Sequence, residues 1–158
     1  MAQSGRKWGI NMLIGEYHHN IDEKGRLIIP AKYREEIGSS FVVTKGLDGC
    51  LYVYSLLEWE RITSKLKTLP FTKKSARTFT RFLLSGASIC EFDKQGRINL
   101  VSSLTEYAGL KKECVIIGVN DRLEIWDLDK FNNLMSENES ELDSIAEGLF
   151  EGDFDFNA

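Results

Sequence analysis

Proline, histidine and cysteine are all scarce in this chain, which carries two, two and three of them respectively. Cys50, Cys90 and Cys114 are odd in number, each lies among apolar neighbours, and no CxxC pair occurs. That pattern speaks against a disulfide framework and reads as plain thiols buried in a reducing compartment. His18 and His19 are adjacent on a predicted strand, so they point to opposite faces and cannot both ligate one metal. There is no run of about 18 apolar residues and no secretory pattern, which leads us to expect a soluble, cytoplasmic protein with no membrane partner. GxxxxGK[ST], GxSxG, HExxH and a Gly-rich dinucleotide fingerprint are all missing. No carboxylate stands beside an identifiable acid or nucleophile, so neither an enzyme nor a cofactor is expected. Basic residues are missing from 135–158, which hold eight acidic ones. This end reads as a solvated, disordered acidic tail that would screen the basic half or repel an anionic partner.

What the chain does have is an internal repeat. Asp22-Glu23-Lys24-Gly25-Arg26-Leu27-Ile28-Ile29-Pro30 returns as Asp93-Lys94-Gln95-Gly96-Arg97-Ile98-Asn99-Leu100-Val101. Past one inserted residue the match continues, with Val43 against Val115, Gly46 against Gly118, Leu51 against Leu123, Val53 against Ile125, Tyr54 against Trp126 and Trp59 against Phe131. A match sustained over this length marks a duplicated unit. One copy is too small to bury a convincing core, but two can share one. The net charge of −4 hides a split, with +4 over residues 12–86 and −10 over residues 87–158.

The resulting organisation is a frayed N-terminal extension over 1–11, a first repeat over 16–58, a helical connector over 59–86, a second repeat over 87–130, and a C-terminal helix with the acidic tail over 131–158. Within the first repeat, residues 16–21 read as a strand and 26–29 as its continuation or partner across the Asp22 turn. Pro30 suits the first position of a helix over 31–37 that Gly38 stops. Residues 41–45 and 50–54 form a hairpin, and Ser55 caps a helix to about Leu69, before Pro70. A second connector helix, 72–85, sets Lys73, Arg77 and Arg81 on one face, either as a solvated surface or as a contact patch. The second repeat runs as strands at 87–92 and 97–100, a helix from Ser102 or Ser103 to Ala108, and a hairpin of 114–118 with 123–126. Asp127 is placed to cap the closing helix.

The two turns carry the sharpest functional signal. Asp can bond its own backbone two residues on, and Gly accepts a positive φ. Lys24 and Arg26 flank Gly25, so two cationic side chains and an approachable backbone meet at one turn. That arrangement suits phosphate contacts and the reading of guanine edges by Arg. The alternative is that Asp22 and Arg26 merely pair across their own turn, an interaction too weak to need repeating. A competing class is a non-enzymatic oligomeric scaffold in which the turns are structural and the acidic tail recruits a protein.

The residues also carry a family resemblance. Asp22-Glu23-Lys24-Gly25-Arg26 with Pro30, Tyr33 and Arg34, Leu57-Glu58-Trp59-Glu60, Arg81-Phe82-Leu83-Leu84-Ser85-Gly86-Ala87, Asp93-Lys94-Gln95-Gly96-Arg97, Glu106-Tyr107-Ala108-Gly109-Leu110 and Leu123-Glu124-Ile125-Trp126 follow one another in order. Over about 12–134 the chain resembles the MraZ family of bacterial transcriptional regulators, related to the AbrB and SpoVT group. The resemblance implies an α+β, mainly β fold. This is a double-psi-type β-barrel built from two AbrB-like repeats in one chain, with short helices, a helical connector and a C-terminal helix. It further implies closed rings of subunits that bind double-stranded DNA at short repeated boxes upstream of their own operon, the division and cell-wall cluster, in association with the nucleoid. The family's DNA-contacting Asp-x-x-x-Arg motif falls on Asp22 and Arg26, and again on Asp93 and Arg97. By that resemblance Arg26 and Lys24 contact DNA, Asp22 orients Arg26, and Lys32 and Arg34 are further candidates. The second copy differs, with Gln95 at the place of Lys24, Ser103 at that of Lys32, Thr105 at that of Arg34 and Val101 at that of Pro30.

Overall fold

A computed structural model describes residues 12–151, so the expected extension at 1–11 and the last residues of the tail lie outside the described residues. The described chain forms two compact units, divided after Asp127.

In the first unit the strands are β1 (Leu13–Asn20), β2 (Arg26–Ile28), β3 (Ser40–Lys45), β4 (Leu51–Ser55), β5 (Ser88–Glu91), β6 (Arg97–Asn99), β7 (Glu113–Asn120) and β8 (Leu123–Asp127). Its helices are α1 (Ala31–Ile37), α2 (Leu56–Leu66), α3 (Lys74–Ser85) and α4 (Ser102–Ala108). Six strands make an antiparallel sheet in the order β1-β7-β8-β4-β3-β5, while β2 and β6 pair as a separate two-stranded ribbon. The architecture is therefore mixed α and β, strand-rich, with an open antiparallel sheet.

The repeats are interlaced. The first repeat's β1 pairs with the second repeat's β7 from Leu13↔Asn120 to Asn20↔Glu113. Reciprocally, the second repeat's β5 pairs with β3 of the first, from Ser40↔Glu91 to Val43↔Ser88. The two hairpins meet where β4 pairs with β8. Apolar side chains from both copies form one core, among them Leu27, Ile29, Phe41, Val43, Leu51 and Val53 from the first and Ile98, Leu100, Cys114, Ile116, Leu123 and Ile125 from the second. Neither copy closes this core alone, and that shared burial makes the exchange of first strands favourable.

The expected local elements recur with shifted edges. β1 begins at Leu13 rather than residue 16, with Gly15 opposite Gly118 in the ladder. β2 neither continues nor pairs with β1; its partner is β6, because the Asp22 turn redirects the chain and β1 is taken by β7. Pro30 is the residue before α1, at φ −54° and ψ 144°, and its carbonyl accepts from the N–H of Tyr33 and Arg34. Ser55 does cap α2, its Oγ accepting from Glu58 N–H at 3.2 Å. α2 ends at Leu66 in tight turns at Thr68 and Leu69, since the residue before a proline is steered out of helical geometry. α3 starts at Lys74 and is tied to the sheet by the buried Thr44 hydroxyl, which donates to Leu83 C=O at 2.6 Å.

Cys50 and Cys114 are fully buried, and burial pushes both thiols up to about 12; Cys90 is only half-buried. In the second unit, α5 (Leu128–Asn138) is followed by a 3-10 turn and by α6 (Leu142–Leu149). The acidic stretch is thus helical as far as Leu149 rather than disordered. Leu142, Ile145, Ala146 and Leu149 recur at helical spacing, which outweighs the like charges around them. Among the described residues, no helix is long and apolar enough to cross a membrane.

Candidate nucleic-acid interface

Asp22 builds its turn with both carboxylate oxygens. Oδ1 accepts from the backbone N–H of Lys24 at 3.0 Å and of Arg26 at 2.9 Å, and Oδ2 accepts from Arg26 Nε at 2.7 Å. The second copy repeats the set. Asp93 Oδ1 accepts from Gln95 and Arg97 N–H, each at 2.9 Å, and its Oδ2 from Arg97 Nε at 2.7 Å. The pairing across each turn is therefore real in both copies, and it uses only one nitrogen of the guanidinium. In Arg26 the remaining nitrogens stay available on a held, pre-oriented side chain, while Arg97 gives one of its terminal nitrogens to Gln95.

The same bonds set the acidity of the two aspartates. Backbone N–H of Arg26 above all, with its side chain and Lys24 N–H, holds the Asp22 carboxyl below the ordinary 3.8, and Arg97 and Gln95 do the same for Asp93. A carboxyl whose folded pKa is depressed stabilises the fold above its unfolded pKa, and this contribution is lost as pH falls through the folded value. The contribution of both turns should then be present at neutral pH and be lost in acid, as pH falls through folded pKa values that lie below 3.8. A carboxyl-carbon NMR titration should show midpoints below 3.8 for Asp22 and Asp93, and midpoints at or above that value would contradict the assignment.

The ribbon brings the two motifs together. Its register is Arg26↔Asn99, Leu27↔Ile98 and Ile28↔Arg97. Leu27 and Ile98 are fully buried. Strand alternation therefore turns Arg26, Ile28, Arg97 and Asn99 to the outside, on one face. The ends are locked crosswise: Leu100 N–H donates to Gly25 C=O at 2.7 Å and Ile29 N–H to Gly96 C=O at 3.0 Å. Each turn is thus fastened by the other repeat.

Lys24 is exposed at the first turn, and the second turn carries Lys94 one position earlier, also exposed. Lys32 is exposed on α1, and its ammonium stands over the Tyr17 ring at 5.8 Å. Arg34 is held by its own repeat and covers the turn of the other. Its Nε donates to Ile29 C=O at 2.9 Å, and its guanidinium lies directly on Gly96, 2.6–2.8 Å from where a Cβ would be. At the first turn Thr105 stands in the equivalent place. There a groove of about 270 Å³ stays open, lined by Asp22, Lys24, Gly25, Ser102, Thr105 and Lys111 among others. Sequence reasoning missed Asn99 and Ile28 as members of the face, and passed over Lys94. The alternation within residues 97–99 and 26–28 was visible, but only the β2–β6 pairing puts them beside the arginines.

His18 Nε2 lies 2.7 Å from Glu16 Oε2. Among the described residues, no group of three or more His, Cys, Asp or Glu is placed to hold a metal ion.

Comparison with known proteins agrees with the duplication. The family described as "MraZ protein, putative antitoxin-like" matches twice, over residues 12–82 and 83–152. The chain is similar to the transcriptional regulator MraZ of Lactobacillus gasseri, 55% identical over 138 residues that cover 87% of this chain and 96% of that protein. It is likewise similar to the transcriptional regulators MraZ of Limosilactobacillus reuteri, at 56% identity covering 87% and 97%, and of Lactobacillus johnsonii, at 54% identity covering 87% and 96%. Matched through both repeats and more than half identical to these relatives over nearly their whole length, the chain belongs to the MraZ family.

Proposed function

We propose that this chain is a sequence-specific transcriptional regulator that binds double-stranded DNA through the outward face of the β2–β6 ribbon, and that it has no enzymatic activity. The observation that carries the reading is the convergence of both Asp-x-x-x-Arg turns on one exposed two-stranded ribbon. The major groove of DNA admits a ribbon of this kind, and guanidinium groups held by a carboxylate suit guanine edges and phosphates. The names of the relatives support regulation. In this reading Arg26, Lys24, Arg97 and Arg34 contact DNA, Asp22 and Asp93 orient the arginines, and Lys32 is a flanking contact.

The targets are repeated boxes upstream of the protein's own operon, in the division and cell-wall cluster, and the protein acts at the nucleoid as a closed homo-oligomeric ring. Two sheets sharing one core support the reading of the fold as a barrel of the AbrB and SpoVT kind. Self-association is supported by apolar surface that the chain leaves uncovered. α2 buries no residue fully, and Leu57, Phe71 and Ile89 are 66%, 81% and 75% exposed. An apolar groove of about 560 Å³ lies beside Phe79 and Phe82 on α3. One basic ribbon neutralises few phosphates, whereas a ring presents it repeatedly and gains avidity on spaced boxes.

The test is a titration of the protein against DNA from upstream of its gene and against scrambled DNA, at two salt concentrations. Tight, salt-sensitive binding to the upstream DNA alone supports the regulator. Equal binding to both at either salt would favour a protein-interaction scaffold and turn attention to the acidic helices.

A further inference from the structure

The outward face of the ribbon is not symmetric, although the repeat would make it so. At one end Arg26 stands directly across from Asn99, and at the other Arg97 stands across from Ile28. Arg26 engages only its Nε with Asp22, whereas Arg97 also gives a terminal nitrogen to Gln95 Oε1 at 3.3 Å. Asn99 is exposed, and its carboxamide makes no hydrogen bond with any described residue. Its Oδ1 leans over the first turn, 3.9 Å from the place of a Cβ on Gly25. Ile28 is 41% exposed.

A free carboxamide offers one donor and one acceptor side by side, which matches N6 and N7 of adenine in the major groove, as a guanidinium matches O6 and N7 of guanine. Side chains directly opposite in an antiparallel pair stand roughly 5 Å apart, close to the roughly 3.4 Å rise between stacked base pairs. Arg26 and Asn99 therefore reach neighbouring base pairs. The other end of the face pairs an aliphatic side chain, suited to a thymine methyl, with an arginine that is partly occupied.

We infer that Asn99 is a base-reading residue that recognises adenine next to the guanine contacted by Arg26, so that each subunit has one polar reading corner and sits on its box in a single orientation. This rests on the DNA-binding reading above. It concerns specificity rather than affinity, because Asn99 carries no charge to place on a phosphate.

The experiment is a competition assay in which each base pair of the upstream box is replaced in turn, run with the wild type, Asn99→Ala and Asn99→Asp, all checked by circular dichroism. Asn99→Ala is expected to lose about tenfold discrimination at one A·T pair adjacent to a G·C pair, while scrambled-DNA affinity and the salt dependence stay unchanged. Asn99→Asp keeps the side chain's shape and turns its donor into an acceptor, so preference at that pair should move from adenine toward cytosine. A uniform loss at every position for the uncharged Asn99→Ala, or an unaltered profile of base preference in both variants, would overturn the assignment of Asn99 while leaving DNA binding in place. The added charge of Asn99→Asp lowers affinity at every position, so that variant is read only by its base preference. A wild type with no preference for upstream over scrambled DNA would instead remove the underlying reading.

Discussion

Gly25→Ala is expected to cost the protein a large share of its stability, while Gly109→Ala should be tolerated. Both glycines have positive φ, +81° and +63°, so each substitution carries a backbone strain of roughly 1–2 kcal/mol. At Gly109 nothing lies within 4 Å of the added methyl, and the strain is the whole effect. At Gly25 the methyl would stand 2.5 Å from the carbonyl oxygen of Leu100. That oxygen cannot retreat freely, since Leu100 N–H is bonded to Gly25 C=O at 2.7 Å and its side chain is in the core. Relief requires separating the ribbon from the turn, which gives up a cross-repeat hydrogen bond worth about 1 kcal/mol and opens packing around Leu27 and Ile98. A total of roughly 4 kcal/mol or more is a large share of the 5–15 kcal/mol typical of a domain. Melting followed by circular dichroism should fall by on the order of 10 °C or more for Gly25→Ala and by only about 4 °C for Gly109→Ala. Equal shifts would show that the crosswise fastening of the turns contributes little.

The second large effect is expected in DNA binding. Arg26→Ala should weaken binding to the upstream boxes by about 10- to 100-fold per site, and by more where several subunits bind together. The fold should survive, because Asp22 Oδ1 keeps its two bonds to the backbone of Lys24 and residue 26 when the side chain is removed. The mutant also leaves Asp22 ionised and without its guanidinium partner on the proposed DNA face, since the backbone N–H of residue 26 is the main cause of its low pKa. Loss of attraction and gain of repulsion then act together. Arg97→Ala should do less, as Arg97 is less exposed than Arg26, at 23% against 33%, and shares a terminal nitrogen with Gln95. Fluorescence anisotropy with labelled upstream DNA, with melting curves alongside, measures both variants. A folded Arg26→Ala that binds as the wild type does, or an Arg97→Ala that is the more damaging of the two, would contradict the proposed face.

The asymmetry between the halves follows from a few substitutions on a shared frame. Arg34 crosses to cover Gly96, whereas Thr105 is too short to cover Gly25, so one turn is capped by an arginine and the other lies open. The clash predicted at Gly25 is with backbone, while a methyl on Gly96 would meet only the tip of the Arg34 side chain. The two glycines occupy equivalent places in the repeat and yet hold different parts of the structure.

What the sequence determined by itself is the local chemistry. The Asp22 and Asp93 turns, the Ser55 cap, the α1 and α4 spans and the hairpins were legible because their hydrogen bonds join residues within a few positions of one another. Residue type alone decides such bonds. The stop of α2 before Pro70 was legible in kind and misplaced by about a turn, and the helix of residues 142–149 was hidden by its charge. Only the tertiary structure decided that β1 pairs with β7, that β5 pairs with β3, and that β2 leaves its neighbour for β6. Pairings across 45 to 107 residues are chosen by which arrangement buries Leu27, Ile29, Ile98 and Leu100 together, a condition no local window contains. The same pairing put Arg26, Asn99, Ile28 and Arg97 on one face and carried Arg34 to the far turn. The residues that make the face were written in the sequence twice over, but their meeting is a property of the shared core.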